Sequence, residues 1–172
     1  MKTFKIATFF LGLLFVSVNV SAQTEEGIVE VASGSKEHTT LVTALKAADL
    51  VTTLKGKGPF TVFAPTNNAF SKLPAGTVDN LLMAENKAQL AGILTYHVVP
   101  GNLDANAVLA AIKKGGGITV LTTVAGGQLT ASILEGNVTL TDEKGGIATV
   151  TATDLKGTNG VIHVIDIVLM PK

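Results

Sequence analysis

Between Phe60 and Pro65 the apolar residues follow the period of two that is typical of a β-strand. The two predicted faces carry Phe60, Val62 and Ala64 on one side and Thr61 and Phe63 on the other. Pro65 has no amide hydrogen to donate to a neighbouring strand, so we expect the strand to end there. Thr66 or Asn67 can cap the helix that follows, which contains Phe70. Because three phenyl rings lie in this segment, we expect this corner between strand and helix to organise the core.

Helical periodicity dominates the first half of the chain on both sides of this corner. Residues 27–57 predict consecutive helices, with Thr39 or Thr40 as the cap of the second, and the sequence Gly56-Lys57-Gly58-Pro59 ends the pattern. Further helices are predicted at residues 78–83, 86–96 and 105–112.

The second half has the pattern of an antiparallel meander. Glycine-containing turns separate four short alternating segments, at residues 118–124, 128–134, 137–142 and 147–154. The run from Val161 to Met170 is apolar on both faces, so it predicts a central strand that is covered on both sides and ended by Pro171. Helices first and strands later indicate an α+β fold.

The first 22 residues predict a signal peptide. Lys2 and Lys5 precede an apolar run from Ile6 to Val20, and small residues before Gln23 suit cleavage at that point. The run is shorter than the roughly 20 residues that a membrane-spanning helix needs, so we expect no stable membrane insertion after cleavage. Residues 23–172 then form one exported domain, which is secreted, periplasmic or held at the cell surface.

Composition excludes several classes of function. The chain has 13 basic and 13 acidic residues, so it has no net positive charge that would attract nucleic acid. It has no cysteine, so neither disulfides nor a lipid-linked cysteine stabilises or anchors it. His38, His97 and His163 are far apart in the sequence and form no metal motif, and we expect neither a metal nor a cofactor.

Three segments in order resemble the signatures of the fasciclin-type (FAS1) domain. They are Thr61 to Phe70, Leu94 to Gly101 and Asn159 to Pro171. The resemblance covers essentially all of residues 23–172 and implies a wedge of two β-sheets beside a helical layer. The motif residues for which it implies a structural role are Thr61, Phe63, Pro65, Thr66, Asn67, Phe70, Asn159, Gly160, His163 and Asp166.

The resemblance also implies a function. Members of this family are adhesion or extracellular-matrix modules that bind protein or polysaccharide partners at the cell surface and are not enzymes. A role in partner binding carries over to Tyr96 and His97 of the central signature, with Leu94, Val98 and Val99 beside them.

The residues themselves leave other interpretations open. His97 continues the apolar face of the helix over 86–96, which favours a buried and hydrogen-bonded ring, and Tyr96 is expected to bury its ring and keep its hydroxyl in water. His163 is expected to be buried. Asp166, on the opposite face of the last strand, needs a partner such as a helix N-terminus or backbone amides. The alternative function is a small-ligand-binding or hydrolytic protein that uses a cleft near His97 and Asp166.

Overall fold

The computed structural model describes residues 26–172, and the predicted signal peptide at residues 1–22 lies outside this range. Seven α-helices occupy mainly the first half: α1 (Ile28–Gly34), α2 (Thr39–Ala47), α3 (Val51–Leu54), α4 (Asn67–Ser71), α5 (Thr77–Leu81), α6 (Lys87–Tyr96) and α7 (Ala105–Lys114). Short 3-10 helices span Lys36–His38 and Ala84–Asn86. No helix within residues 26–172 is both long enough and apolar enough to cross a membrane.

Seven strands form a mixed sheet: β1 (Phe60–Pro65), β2 (Val98–Pro100), β3 (Ile118–Thr122), β4 (Gln128–Leu134), β5 (Asn137–Thr141), β6 (Ile147–Gly157) and β7 (Gly160–Ile165). Their order is β2-β1-β7-β6-β5-β4-β3, and β1 and β7 are the parallel pair. The long strand β6 pairs with β5 at its start and with β7 further along, with irregular register between Val150 and Leu155. This shared strand joins the predicted meander to the β1–β7 sheet.

Two apolar cores lie on opposite faces of β1 and β7. Val62, Ala64 and Ile162 pack against the helical layer formed by α1, α2 and α6. Phe63 and Ile165 face the other way, into a core enclosed by the meander and α7. The predicted alternation of faces in β1 is therefore confirmed, and the last strand is covered on both sides as expected.

The predicted end of the last strand is wrong. β7 stops at Ile165, whereas the apolar run continues to Met170. Ile165 is the partner of Pro65, where β1 ends, so β7 has no parallel partner beyond this point. Val168 and Leu169 stay buried, but outside a strand.

One of the two predicted helix caps is confirmed and the other is wrong. The Thr66 hydroxyl accepts a hydrogen bond from the amide of Ala69 at 3.2 Å, which confirms it as the cap of α4. Neither Thr39 nor Thr40 caps α2. The carboxamide oxygen of Asn67 instead accepts hydrogen bonds from the amide of Thr40 at 2.9 Å and the hydroxyl of Thr39 at 3.1 Å. The side chain of Asn67, within the Thr61 to Phe70 segment, thus connects α4 to α2.

Candidate functional site

The Tyr-His segment lies between α6 and β2. Tyr96 is the last residue of α6, His97 is its C-terminal cap and β2 begins at Val98. All five side chains predicted to bind a partner are buried, with exposed fractions between 0 and 4%: Leu94, Tyr96, His97, Val98 and Val99. This geometry favours the structural interpretation, and direct contact with a partner stays a prediction.

The Tyr96 hydroxyl joins two distant turns and does not lie in water. It donates a hydrogen bond to the carbonyl of Gln128 at 2.7 Å and accepts one from the amide of Glu143 at 3.1 Å. Burial raises the pKa of Tyr96 above its ordinary value. The expectation of a solvated hydroxyl is therefore wrong. The two partners lie far from Tyr96 in the sequence, so the local pattern around Tyr96 does not indicate them. Gly127 packs against the ring, and a Cβ at that position would come within 2.6 Å of it.

His97 uses both ring nitrogens in buried hydrogen bonds. Nε2 lies 2.9 Å from the backbone nitrogen of Leu169, and Nδ1 lies 2.8 Å from the carbonyl oxygen of Ile93. The amide of Leu169 is a donor, so Nε2 accepts, and the proton must be on Nδ1, which donates to Ile93. Burial is the largest influence on this ring and lowers the pKa of His97 from 6.5 to about 4, although the Ile93 carbonyl and the Asp142 carboxylate raise it. At neutral pH the ring is uncharged and attaches the C-terminal segment to α6.

His163 and Asp166 also have structural partners. His163 is buried, stacks on Phe63 with ring centroids 5.6 Å apart and donates from Nε2 to the carbonyl of Leu103 at 2.7 Å. One carboxylate oxygen of Asp166 accepts from the amide of Thr149 at 2.7 Å, and the other lies 3.6 Å from the ammonium of Lys72. The expected backbone-amide partner of Asp166 is confirmed, but Asp166 is half-buried beyond the end of β7, so its placement on a strand face is wrong.

The predicted cleft near His97 and Asp166 gains no support from this geometry. Both nitrogens of His97 are engaged, and only 2% of the residue is exposed, so it has no free atom for a substrate. Within residues 26–172, no group of three or more potential metal ligands comes together.

An open depression of about 670 Å³ lies elsewhere, at the ends of β1 and β7 where both strands begin. Its walls come from three segments: residues 55–59, Asn102 with Asp104, and the β6–β7 hairpin at residues 156–161. Neither His97 nor Asp166 lines it. None of the sequence-based predictions includes this depression, although two lysine- and glycine-rich segments, around Lys57 and Lys156, contribute to it.

An apolar surface follows the edge strand β3. Ile118 and Val120 on this strand are 54% and 53% exposed, and Val124 just after it is 46% exposed. The amide of Val124 donates to the carbonyl of Val98 at 2.7 Å, so this surface directly adjoins the Tyr-His segment. We call Ile118, Val120 and Val124 the β3 surface.

Comparison with known proteins identifies the family. A model of the fasciclin domain matches residues 36–171. Protein sll1483 of Synechocystis sp. is 51% identical over 144 residues, which cover 84% of this chain and 73% of that protein. Cell surface glycolipoprotein MPB83 of Mycobacterium bovis is 34% identical over 160 residues, which cover 89% of this chain and 64% of the relative.

The fold is similar to a solved FAS1 domain pair from the insect cell adhesion molecule fasciclin I. The TM-score is 0.60 at 23% sequence identity, and the match covers 76% of this chain and 43% of the solved chain. The α+β architecture, with helices in the first half and a meander in the second, confirms the fold that the sequence predicts. The chain belongs to the fasciclin domain family.

Proposed function

We propose that this protein is an exported adhesion or matrix-interaction module that binds protein or polysaccharide partners at the cell surface and does not catalyse a reaction. Its family includes an insect cell adhesion molecule, and a relative is named as a cell surface glycolipoprotein. Signal-peptide cleavage before Gln23 is part of this proposal.

The exposed apolar residues of the β3 surface are the main support for this proposal. Among the strands of residues 26–172, β3 is the last in the sheet order and pairs only with β4. Edge strands are normally protected by charged residues or proline, yet residues 115–134 contain neither. Exposed apolar side chains that stay together on such an edge are typical of a binding surface.

The sheet extends this surface beyond its edge. Val120 pairs with Thr130, Thr130 with Thr141 and Thr141 with Ile147, so these residues share one outward row. Ile147 is 48% exposed, so apolar side chains lie at both ends of a row of threonines. In our proposal the buried Tyr96 and His97 support this surface from behind.

The test is capture of partners from the native cell surface and its polysaccharides. The immobilised protein is compared with an Ile118→Lys, Val120→Lys variant, in which two ammonium groups interrupt the β3 surface. Met83→Lys is the matched control, because Met83 is also 54% exposed but lies outside the sheet. We expect the double variant to lose the captured partner and the control to retain it, with both keeping the unfolding temperature of the original protein.

Two results contradict the proposal at different levels. If the original protein captures no component of the cell surface, the adhesion function is wrong. If the double variant captures the same partner as strongly as the Met83→Lys control, the β3 surface is not the interface.

A further inference from the structure

The depression has one wall held in place by Asn159. The carboxamide nitrogen of Asn159 donates to the carbonyls of Leu54 at 2.7 Å and Gly56 at 3.1 Å, and its oxygen accepts from the amide of Ile28 at 2.9 Å. At Gly58 a Cβ would lie 2.0 Å from the carbonyl oxygen of Asn159, so only glycine permits this close approach. The lysine-bearing loop at 55–58 is therefore fixed against the turn between β6 and β7.

The opposite wall is fixed from beneath by buried side chains. The Thr61 hydroxyl donates to the carbonyl of Gly101 at 2.7 Å and accepts from the amide of Leu103 at 2.9 Å. His163 donates to the carbonyl of Leu103. These bonds hold the loop that presents Asn102 and Asp104 to the depression. A site whose walls are fixed before the ligand arrives loses less conformational entropy on binding.

The charges inside the depression favour an anion. Lys55, Lys57 and Lys156 line it, and Lys55 is paired with Glu30 at 2.7 Å. Lys57 and Lys156 form no ion pair with any residue between 26 and 172. The one acidic lining residue, Asp104, already accepts a hydrogen bond from the amide of Ala107 at 2.7 Å as the cap of α7. Asp104 keeps its negative charge, but Lys57 and Lys156 outnumber it, so the lining has a net positive charge that attracts anions.

The remaining lining indicates what kind of anion fits. Asn102 and Thr158 offer donors and acceptors suited to hydroxyl groups, and the apolar lining consists of Pro59 and Val161. No aromatic side chain, a common anchor for a protein partner, is among the residues that line the depression. The volume is within the range of sites that bind small ligands.

We propose that this depression binds a carboxylated polysaccharide, with Lys57 and Lys156 on carboxylate groups and Asn102 and Thr158 on hydroxyls. The site is separate from the β3 surface. The inference rests on the proposed role at the cell surface and adds a second binding site with its own ligand class.

The probe is oligogalacturonate, a chain of carboxylated sugars, with neutral dextran and poly-glutamate as comparisons. Binding is measured by titration calorimetry at low salt. We expect the protein to bind oligogalacturonate. A Lys57→Ala, Lys156→Ala variant should bind it at least about tenfold more weakly, because each substitution removes a charge-assisted hydrogen bond to the ligand. The matched control is Lys113→Ala, Lys114→Ala, which removes two exposed charges from the last turn of α7. It should bind oligogalacturonate like the original protein, and dextran should bind to none of them.

Each contrary result has a distinct meaning. Equal weakening in the two double variants would mean that net charge alone causes binding, which overturns the site. Poly-glutamate binding as tightly as oligogalacturonate would replace the polysaccharide with an acidic peptide. If the protein captures cell-surface partners but does not bind oligogalacturonate, this inference fails while the proposed function stands.

Discussion

Acidification should weaken the fold through His97, and the effect is large enough to measure. In the folded protein the Nε2 atom of this ring accepts a hydrogen bond from Leu169 and so must be unprotonated. A proton on Nε2 would place a donor against the amide of Leu169 and a charge in a buried position. In the unfolded chain the same ring takes up a proton near its ordinary pKa of 6.5.

The magnitude follows from the two pKa values. The folded pKa of His97 is about 4, below the unfolded value of 6.5. Between these values the unfolded chain binds a proton that the folded protein does not, so the free energy of unfolding falls as the pH falls. Each pH unit across the full window is worth about 1.4 kcal/mol, which gives about 2 kcal/mol lost between pH 7 and pH 5 and about 3 kcal/mol in total. Above pH 6.5 the contribution is fully present.

Urea denaturation at pH 7 and pH 5 measures this loss, and a His97→Gln variant isolates it. Glutamine has a donor and an acceptor but does not titrate, so its free energy of unfolding should fall by about 2 kcal/mol less than that of the original protein between pH 7 and pH 5. Burial also lowers the pKa of His38, but that contribution is common to both proteins and cancels in the difference. Staying above pH 5 avoids most of the titration of carboxylates.

Two results would contradict this prediction. One is the same pH dependence in both proteins. The other needs no variant: an NMR titration of the folded protein in which the His97 ring protonates near pH 6.5 would show that the ring is neither buried nor fixed as a neutral acceptor.

Two further variants test the core and the C-terminal segment. Phe63→Ala should lower the free energy of unfolding by roughly 3–5 kcal/mol, because it removes a fully buried ring that stacks on His163; a loss below about 1 kcal/mol in urea denaturation would place this ring at the surface. Asp166→Ala should cost about 1–3 kcal/mol because the amide of Thr149 loses its acceptor. The control Lys72→Ala should cost about 1 kcal/mol or less, since its ion pair with Asp166 is partly exposed to solvent. Equal unfolding temperatures for Asp166→Ala and the original protein would mean that water satisfies the amide of Thr149 and the ammonium of Lys72 in place of Asp166.

Much of the fold is predictable because its patterns are local. The alternation in β1 assigns its faces, and Thr66 caps α4 through an amide only three residues away. The glycine turns likewise separate the strands of the meander. The local pattern of apolar residues does not predict the length of a strand whose partner lies far away in the sequence. β7 ends at Ile165 because Pro65 ends β1, one hundred positions earlier.

The environment of the candidate site depends on such distant contacts even more strongly. An apolar helical face predicts that His97 is buried, but its acceptor role comes from Leu169, which lies 72 positions away. The Tyr96 hydroxyl meets turns of the meander, so its expected exposure to water fails. The lysine-lined depression forms where three separate segments meet, and no single stretch of sequence contains it.

The position of β7 in the middle of the sheet has a consequence for how the protein folds. The strand that joins β1 to β6 is the last one in the chain, so the central ladder waits for residues 160–165. The long chain segment between β1 and β7 must close into a loop before the contacts of β7 can stabilise the sheet, and this slows folding. When the N-terminal part of the chain is available first, the helices and β1 can form early. The sheet cannot be completed until β7, which lies between β1 and β6, is also available. If the protein is exported unfolded, as the proposed function requires, this order of assembly would delay the native state until residues 160–165 have emerged.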